Sequence, residues 1–370
     1  MINPNEFVEQ LQAAGVDMFC GVPDSLLKNF CACVTSTIPA ERAVITANEG
    51  NALGMACGYH VASGRYACVY MQNSGEGNIV NPLLSIADPD VYSIPMLLVI
   101  GWRGEPGVHD EPQHVKQGKV TCSLLETMGV PYAVLDENWQ EQVAWATQTM
   151  VDQSRPIALV VRKGTFDAYP FKAEVTNDAL TREDALEAII DLMPADDVIV
   201  STTGKTSREV FEIRERRGEG HDHDFLTVGG MGHTSSIAYG MACGTSRNVW
   251  CLDGDGSLIM HMGALAVIAQ NMPANLRYVV NVNGAHESVG GQPTVARQID
   301  VPAILLACGF SEVVVAETAE QIADGMKRMQ DTLGTALVLH TRQGSRDNLG
   351  RPTTTPQQNK EAMMALLAND

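Results

Sequence analysis

Three polar side chains stand where apolar runs stop, and their spacing carries the first chemical signal. LDGDGS (Leu252 to Ser257) places Asp255 between the strand-like run VWCLDG and the helical run MHMGALAVIAQ. That is the carboxyl edge at which open parallel sheets take ligands. Asn283 follows 28 positions later, at the end of YVVNVN. A helix and a strand fit between the two, so adjacent strand ends can bring together a carboxylate, a side-chain amide oxygen and a backbone carbonyl. Such hard oxygen donors suit octahedral Mg²⁺ carrying a diphosphate. Backbone N–H groups at the helix start after Gly256 add donors for phosphate oxygens. Glu49 has a comparable place in the first half, between AVITA (Ala43 to Ala47) and the small-residue helix NALGMACGYHVASG. Taken singly, each has a plainer reading: a GDG turn without ligand, or an acid at a helix dipole. Their joint presence argues for a site.

Two sets of elements must hold these residues. In the first half, MFCGV (Met18 to Val22), AVITA, ACVYMQ (Ala67 to Gln72), PMLLVIG (Pro95 to Gly101), YAVL (Tyr132 to Leu135) and IALVVRK (Ile157 to Lys163) read as buried strands. Helical stretches alternate with them, including Pro4 to Ala14 and SLLKNFCACV, the latter with Asp24 and Ser25 as cap candidates. After a polar stretch and a capped helix TREDALEAIIDLM the pattern restarts with VIVST, FLTV, VWCLDG, YVVNVN, EVVVA and ALVLH. This alternation predicts an α/β protein of two doubly wound, mainly parallel sheets. The expected domains are residues 1–172 and 185–370, joined by a linker at 173–184. No short internal repeat is visible.

Bulk properties agree. A chain of 370 residues suits two α/β domains. The formal charge of −19 opposes nucleic acid and acidic membrane surfaces. A small anion is still admissible, because a few local cations or helix N-termini suffice over a screening length of about 8 Å. Nine scattered cysteines without repeated CxxC spacing read mostly as reduced core residues. The polar amphipathic N-terminus and the absence of any apolar run of 18 residues lead to an expected cytoplasmic location.

Together, the GDG turn, the Asn strand end and Glu49 resemble the cofactor motifs of the thiamine-diphosphate dependent 2-oxo acid decarboxylases. The resemblance implies thiamine diphosphate and Mg²⁺ as cofactors, with Asp255, Asn283 and the Ala285 carbonyl as metal ligands. Glu49 becomes the activating acid, bonded to the aminopyrimidine N1′. Gly254, Gly256 and Ser257 are implied cofactor contacts, as are Gly232 and His233 in DFLTVGGMGHTSSIA. One departure is Val282, where the family usually has a second Asn; the ligand is the next residue, so the site is expected to survive. GVPDSLLK, QNSGEGN, GEPGVHDEPQHVKQG, TTGKTSREVFE, NGAHESVGGQPT and GSRDNLGRPTT extend the likeness along nearly the whole chain. They narrow it to members acting on small anionic 2-oxo acids, phosphonopyruvate first and sulfopyruvate second. The family's cofactor lies between chains, which implies at least a homodimer.

Proton donors and substrate anchors are sought in loops and strand ends: Asp24, His109, Asp110, His114, His286 and Glu287. Lys205, Arg208, Arg346 and Arg351 are the candidate partners for the substrate's negative charge; a solvated surface cation is the bland alternative for each. TTGKTS lacks the first P-loop glycine, since position 199 is Ile199. His221 and His223 alternate with acids in a polar loop and read as a solvated turn. A nicotinamide dehydrogenase is excluded by the lack of GxGxxG after either first strand. A carboligase of the acetolactate synthase type, and a binding protein without turnover, are the surviving rivals.

Overall fold

The computed structural model describes residues 1–171 and 176–368. The chain divides into two compact units: the first ends within residues 172–175, outside the described residues, as does the start of the expected linker, and it also takes residues 289–292; the second takes the rest. The first unit carries β1 (Val16–Gly21), β2 (Ala43–Ile45), β3 (Tyr66–Gln72), β4 (Met96–Gly101), β5 (Tyr132–Val134) and β6 (Pro156–Val161). The second carries β7 (Val198–Ser201), β8 (Asp224–Leu226), β9 (Val249–Gly254), β10 (Leu276–Val282), β11 (Glu312–Ala316) and β12 (Thr335–His340). All pairings within the two sheets are parallel.

The first sheet runs β2-β1-β3-β4-β6-β5 and the second β8-β7-β9-β10-β12-β11. Counted within each unit, the order is the same. The sequence shows no repeat, yet the fold is one topology used twice. Order reverses between β1 and β3, and again between β7 and β9, so each unit has a crevice at the carboxyl ends of those strands.

Alternating side chains build a core on each face of both sheets. In the first unit Phe7, Phe30, Tyr70, Leu97 and Phe166 fill one face, and Leu53, Met71, Leu98 and Ile100 the other. In the second, Ile199, Phe211, Trp250 and Leu337 oppose Val200, Cys251, Tyr278 and Phe310. Central strands are covered on both sides, which is why β4 and β6 are apolar throughout.

Two local expectations are corrected. The helix expected after Asp24 begins at Lys28 and runs to Thr37; Asp24 instead accepts the Leu26 N–H at 2.8 Å, holding a turn. The run expected as one helix after Gly254 is two, Asp255–Met260 and Gly263–Gln270, parted at His261 and Met262. Helices such as Pro112–Thr127 and Lys205–Arg217 carry too little apolar periodicity to stand out. The second buries Val210, Phe211 and Ile213 in the core and adds ion pairs: Arg214 with Asp224 and Glu219, and Arg216 with Glu183.

Candidate active site

At the first crevice the chain leaves β1 through Asp24, which is fully buried. A Cβ at Gly101, the last residue of β4, would overlap its carboxyl. Asp24 Oδ1 finds no partner among the described residues. Burial pushes this acid up to about 6, against the pull of the Leu26 N–H and the Arg103 charge. Arg103 itself forks onto Asp110 at 2.8 and 2.5 Å and reaches Ser25 Oγ at 2.8 Å. Burial would raise Asp110, but Arg103 and the Gly104 N–H outweigh it and bring it down to about 2. Asp110 is therefore an ionised clamp on its loop. His114 is buried, with Nδ1 unpartnered among the described residues. Burial first, and Arg103 second, lower its proton affinity. His109 is exposed.

On the neighbouring strand end, Glu49 opens the helix Glu49–Ser63, whose cap is Asn48, accepting Asn51 N at 3.0 Å. Glu49 is only 4% exposed. Burial holds its carboxyl above the ordinary range, opposed by the Asn78 amide, which donates to Oε2 at 2.6 Å. Glu76, at the start of the helix Glu76–Pro82, is equally enclosed. Burial pushes it up to about 8 despite a bond to Thr121. QNSGEGN marks this segment in the sequence without showing that Glu76 turns inward or that Asn78 meets Glu49. Arg103 likewise gives no sequence signal.

In the second unit, Asn281 pairs with Gly254 across β10 and β9, so Asp255 and Asn283 leave the sheet from adjacent strands. Asp255 opens its helix and is 5% exposed. Its Oδ1 accepts Gly256 N at 2.7 Å; Oδ2 accepts Gly284 N at 2.8 Å and Thr294 Oγ at 2.9 Å. Asn283 Oδ1 accepts Ala285 N at 3.1 Å. Gly284 between them has φ 76°, which an L side chain rarely adopts, and a Cβ there would lie 2.9 Å from the Arg297 side chain. Arg297 braces the turn by donating to the Val282 carbonyl at 3.2 Å and the Thr341 carbonyl at 2.7 Å. Val282 itself packs into the apolar core, so the residue that replaces the usual Asn faces away from the polar turn.

Buried oxygen donors of this kind fit a hard divalent cation. Burial pushes Asp255 up to about 6 even though three donors and Arg297 favour its anion, and a bound cation would restore the charge. Among the described residues no cluster of three or more His, Cys, Asp or Glu could hold a metal, so the oxygen set is the candidate. Nearby, Ser257 Oγ accepts Gly232 N at 3.2 Å, tying the two glycine turns together. His286 lies over Gly256, where a Cβ would be 3.1 Å from its Nδ1, and burial lowers it to about 4. His233 is exposed and meets His261 edge to face at 4.7 Å.

The anion-pairing candidates have other partners. Arg208 donates to the Gly350 and Leu349 carbonyls at 2.6 Å each. Arg346 pairs with Glu183 at 2.8 Å and with Glu212. Both hold the loop after β12, in which Arg351 also lies. Glu287 pairs with the buried Arg182 at 2.7 Å; burial would raise it, but Arg182 keeps it below its ordinary range. Lys205 stands 3.8 Å from Glu287, a longer pairing than those that engage Arg208 and Arg346. His221 stacks on Phe211 at 4.0 Å and bonds Glu215, as a structural turn would.

Comparison with known proteins gives concordant matches. Residues 5–124 match the family described as Thiamine pyrophosphate enzyme, N-terminal TPP binding domain, and residues 202–339 its C-terminal TPP binding domain. A phosphonopyruvate decarboxylase from Streptomyces viridochromogenes is 34% identical, over 96% of this chain and 92% of its own. One from Streptomyces hygroscopicus is 32% identical, over 97% and 92%. A sulfopyruvate decarboxylase from Methanosarcina acetivorans is 27% identical, over 89% of each chain.

Proposed function

The chain belongs to the thiamine pyrophosphate enzymes, and from that premise we propose that it decarboxylates phosphonopyruvate to phosphonoacetaldehyde and CO2. The observation that carries the reading is likeness to phosphonopyruvate decarboxylases along almost the full length of both chains. Glu49, Asp255 and Asn283, each buried at a strand end, supply the chemistry such a reaction needs.

When bound, thiamine diphosphate supplies a cationic ring that accepts the electron pair left on the substrate carbon as CO2 departs. Asp255, Asn283 and the Ala285 carbonyl would hold the Mg²⁺ that accompanies the cofactor's diphosphate. Backbone N–H groups after Gly254 and around Gly232 would be the donors for phosphate oxygens. Glu49 would share a proton with the aminopyrimidine of the bound cofactor, and the raised proton affinity that burial gives its carboxyl suits that role. Asp24, buried and pushed up to about 6, is the acid best placed in affinity to deliver a proton to the product carbon. His114 and His286 are held neutral by burial. Asp110 and Glu287, fixed in ion pairs, orient loops. Lys205 is the first choice for pairing with the substrate anion.

The working enzyme in this proposal is at least a homodimer. The helix Glu49–Ser63 is apolar on more faces than its own unit covers, leaving Met55 and Val61 42% and 75% exposed. Among the described residues no helix is long and apolar enough to cross a membrane.

Comparing turnover of phosphonopyruvate, sulfopyruvate and pyruvate, with Mg²⁺ and thiamine diphosphate present, tests the assignment. Phosphonopyruvate should be fastest and yield an aldehyde. Faster turnover of sulfopyruvate, or a longer acyloin product, would replace it with the sulfonate or carboligase reading. Stripping the cofactor and chelating the metal should abolish activity, and adding both back should restore it.

A further inference from the structure

Two neighbours of Glu49 have no role in the scheme above. Asn78 donates its amide to Glu49 Oε2 at 2.6 Å. Gly75, one residue before the helix Glu76–Pro82, lies so close that a Cβ there would overlap Oε1 and the rest of the carboxyl. The helices carrying these groups also approach closely, since a Cβ at Gly50 would sit 3.0 Å from the Asn78 carbonyl. Asn78 therefore cannot drift relative to Glu49. The terminal torsion of a glutamate is broad and roughly two-fold, so a free carboxyl would exchange its oxygens. Here a donor on one oxygen and backbone against the other remove that freedom.

We propose that Asn78 and Gly75 are positioning residues that fix which oxygen of Glu49 is presented to the aminopyrimidine. The inference rests on the activating role proposed for Glu49. What acts on that carboxyl is burial first, then the Asn78 amide and the Glu49 backbone N–H. The other acid on the packed helix, Glu76, is engaged by Thr121 instead. Because an N–H donor favours the ionised form, losing it moves the Glu49 titration upward.

The test uses holoenzyme and apoprotein of Asn78→Leu, Asn78→Asp and Gly75→Ala, with Glu49→Gln as control. Readouts are kcat and KM across pH, thiamine diphosphate affinity of the apoprotein by calorimetry, and melting temperature. Asn78→Leu should lower kcat by about 10- to 100-fold at unchanged KM for phosphonopyruvate. Its Glu49-dependent pH limb should move up by about one unit, and further in Asn78→Asp, where a like charge is added. Gly75→Ala should weaken cofactor binding by displacing the carboxyl. If Asn78→Leu does not fold, the near-isosteric Asn78→Asp carries the same reading. Wild-type pH limbs in both Asn78 variants, with Glu49→Gln inactive, would overturn the positioning role while leaving Glu49 its own. An active Glu49→Gln would instead remove the premise.

Discussion

Asp24, Glu49, Glu76 and Asp255 are buried carboxyls whose neighbours differ, and their proton affinities follow. Asp110 and Glu287, by contrast, have an arginine in bonding distance and are held as anions. Asp110 and Glu287 are only half-buried, so the guanidinium outweighs desolvation there, whereas at the fully buried Glu209 and Asp224 burial outweighs the arginine. Replacing Glu49 by Gln keeps the shape and the bond to Asn78 but removes the titrating group. Its kcat should fall by about 100- to 10,000-fold, while the melting temperature holds or rises, because a buried acid is exchanged for a neutral amide. A fall in both would mark Glu49 as a structural residue.

Strand ends and their turns set where these side chains point. The turn after β10 is built from Gly284 at positive φ, Arg297 on the carbonyls of Val282 and Thr341, and Thr294 on Asp255. Gly284→Ala adds a strained backbone, costing about 1–2 kcal/mol, and pushes on Arg297. Mg²⁺-dependent cofactor binding should weaken well beyond the loss in stability. Gly107→Ala is the matched control: its φ is also positive, at 88°, but a Cβ there meets open space. Calorimetric titration of Mg²⁺ into each variant separates the two, and equal affinities would show that the Gly284 turn does not shape the metal site.

At the scale of the molecule, both units repeat one strand order, and each puts its polar residues in a crevice along the carboxyl ends of its strands: Asp24 after β1 and Glu49 after β2 in the first, Asp255 after β9 and Asn283 after β10 in the second. Holding acids dry at such a crevice has a pH signature. Glu76 is raised from 4.5 to about 8 in the folded protein. Between those values the fold binds a proton that the unfolded chain has released, so its contribution is complete below 4.5 and lost as pH rises through about 8. Melting temperature should therefore decline over that window, and Glu76→Gln should flatten the decline by several degrees. Parallel curves for the two proteins would show that Glu76 stays solvated or paired.

Much of this was legible in order along the chain. Apolar runs bounded by Gly, Asp and Asn located the strands, because a parallel sheet covered on both faces must be apolar throughout. The same punctuation exposed Asp255, Asn283 and Glu49 at strand ends. Short-range pattern carries no record of which strands pair, so the shared order of the two sheets came only from the tertiary structure. So did the partners of each charge. Arg208 and Arg346 have the right chemistry for a substrate anion, yet they close a loop onto backbone carbonyls and acids far away in sequence. Asn78 reaches Glu49 across 29 residues, and Arg297 reaches back to the carbonyl of Val282. Residue type and local spacing state what a group can do; packing between distant segments decides what surrounds it, and those surroundings fix its charge and direction.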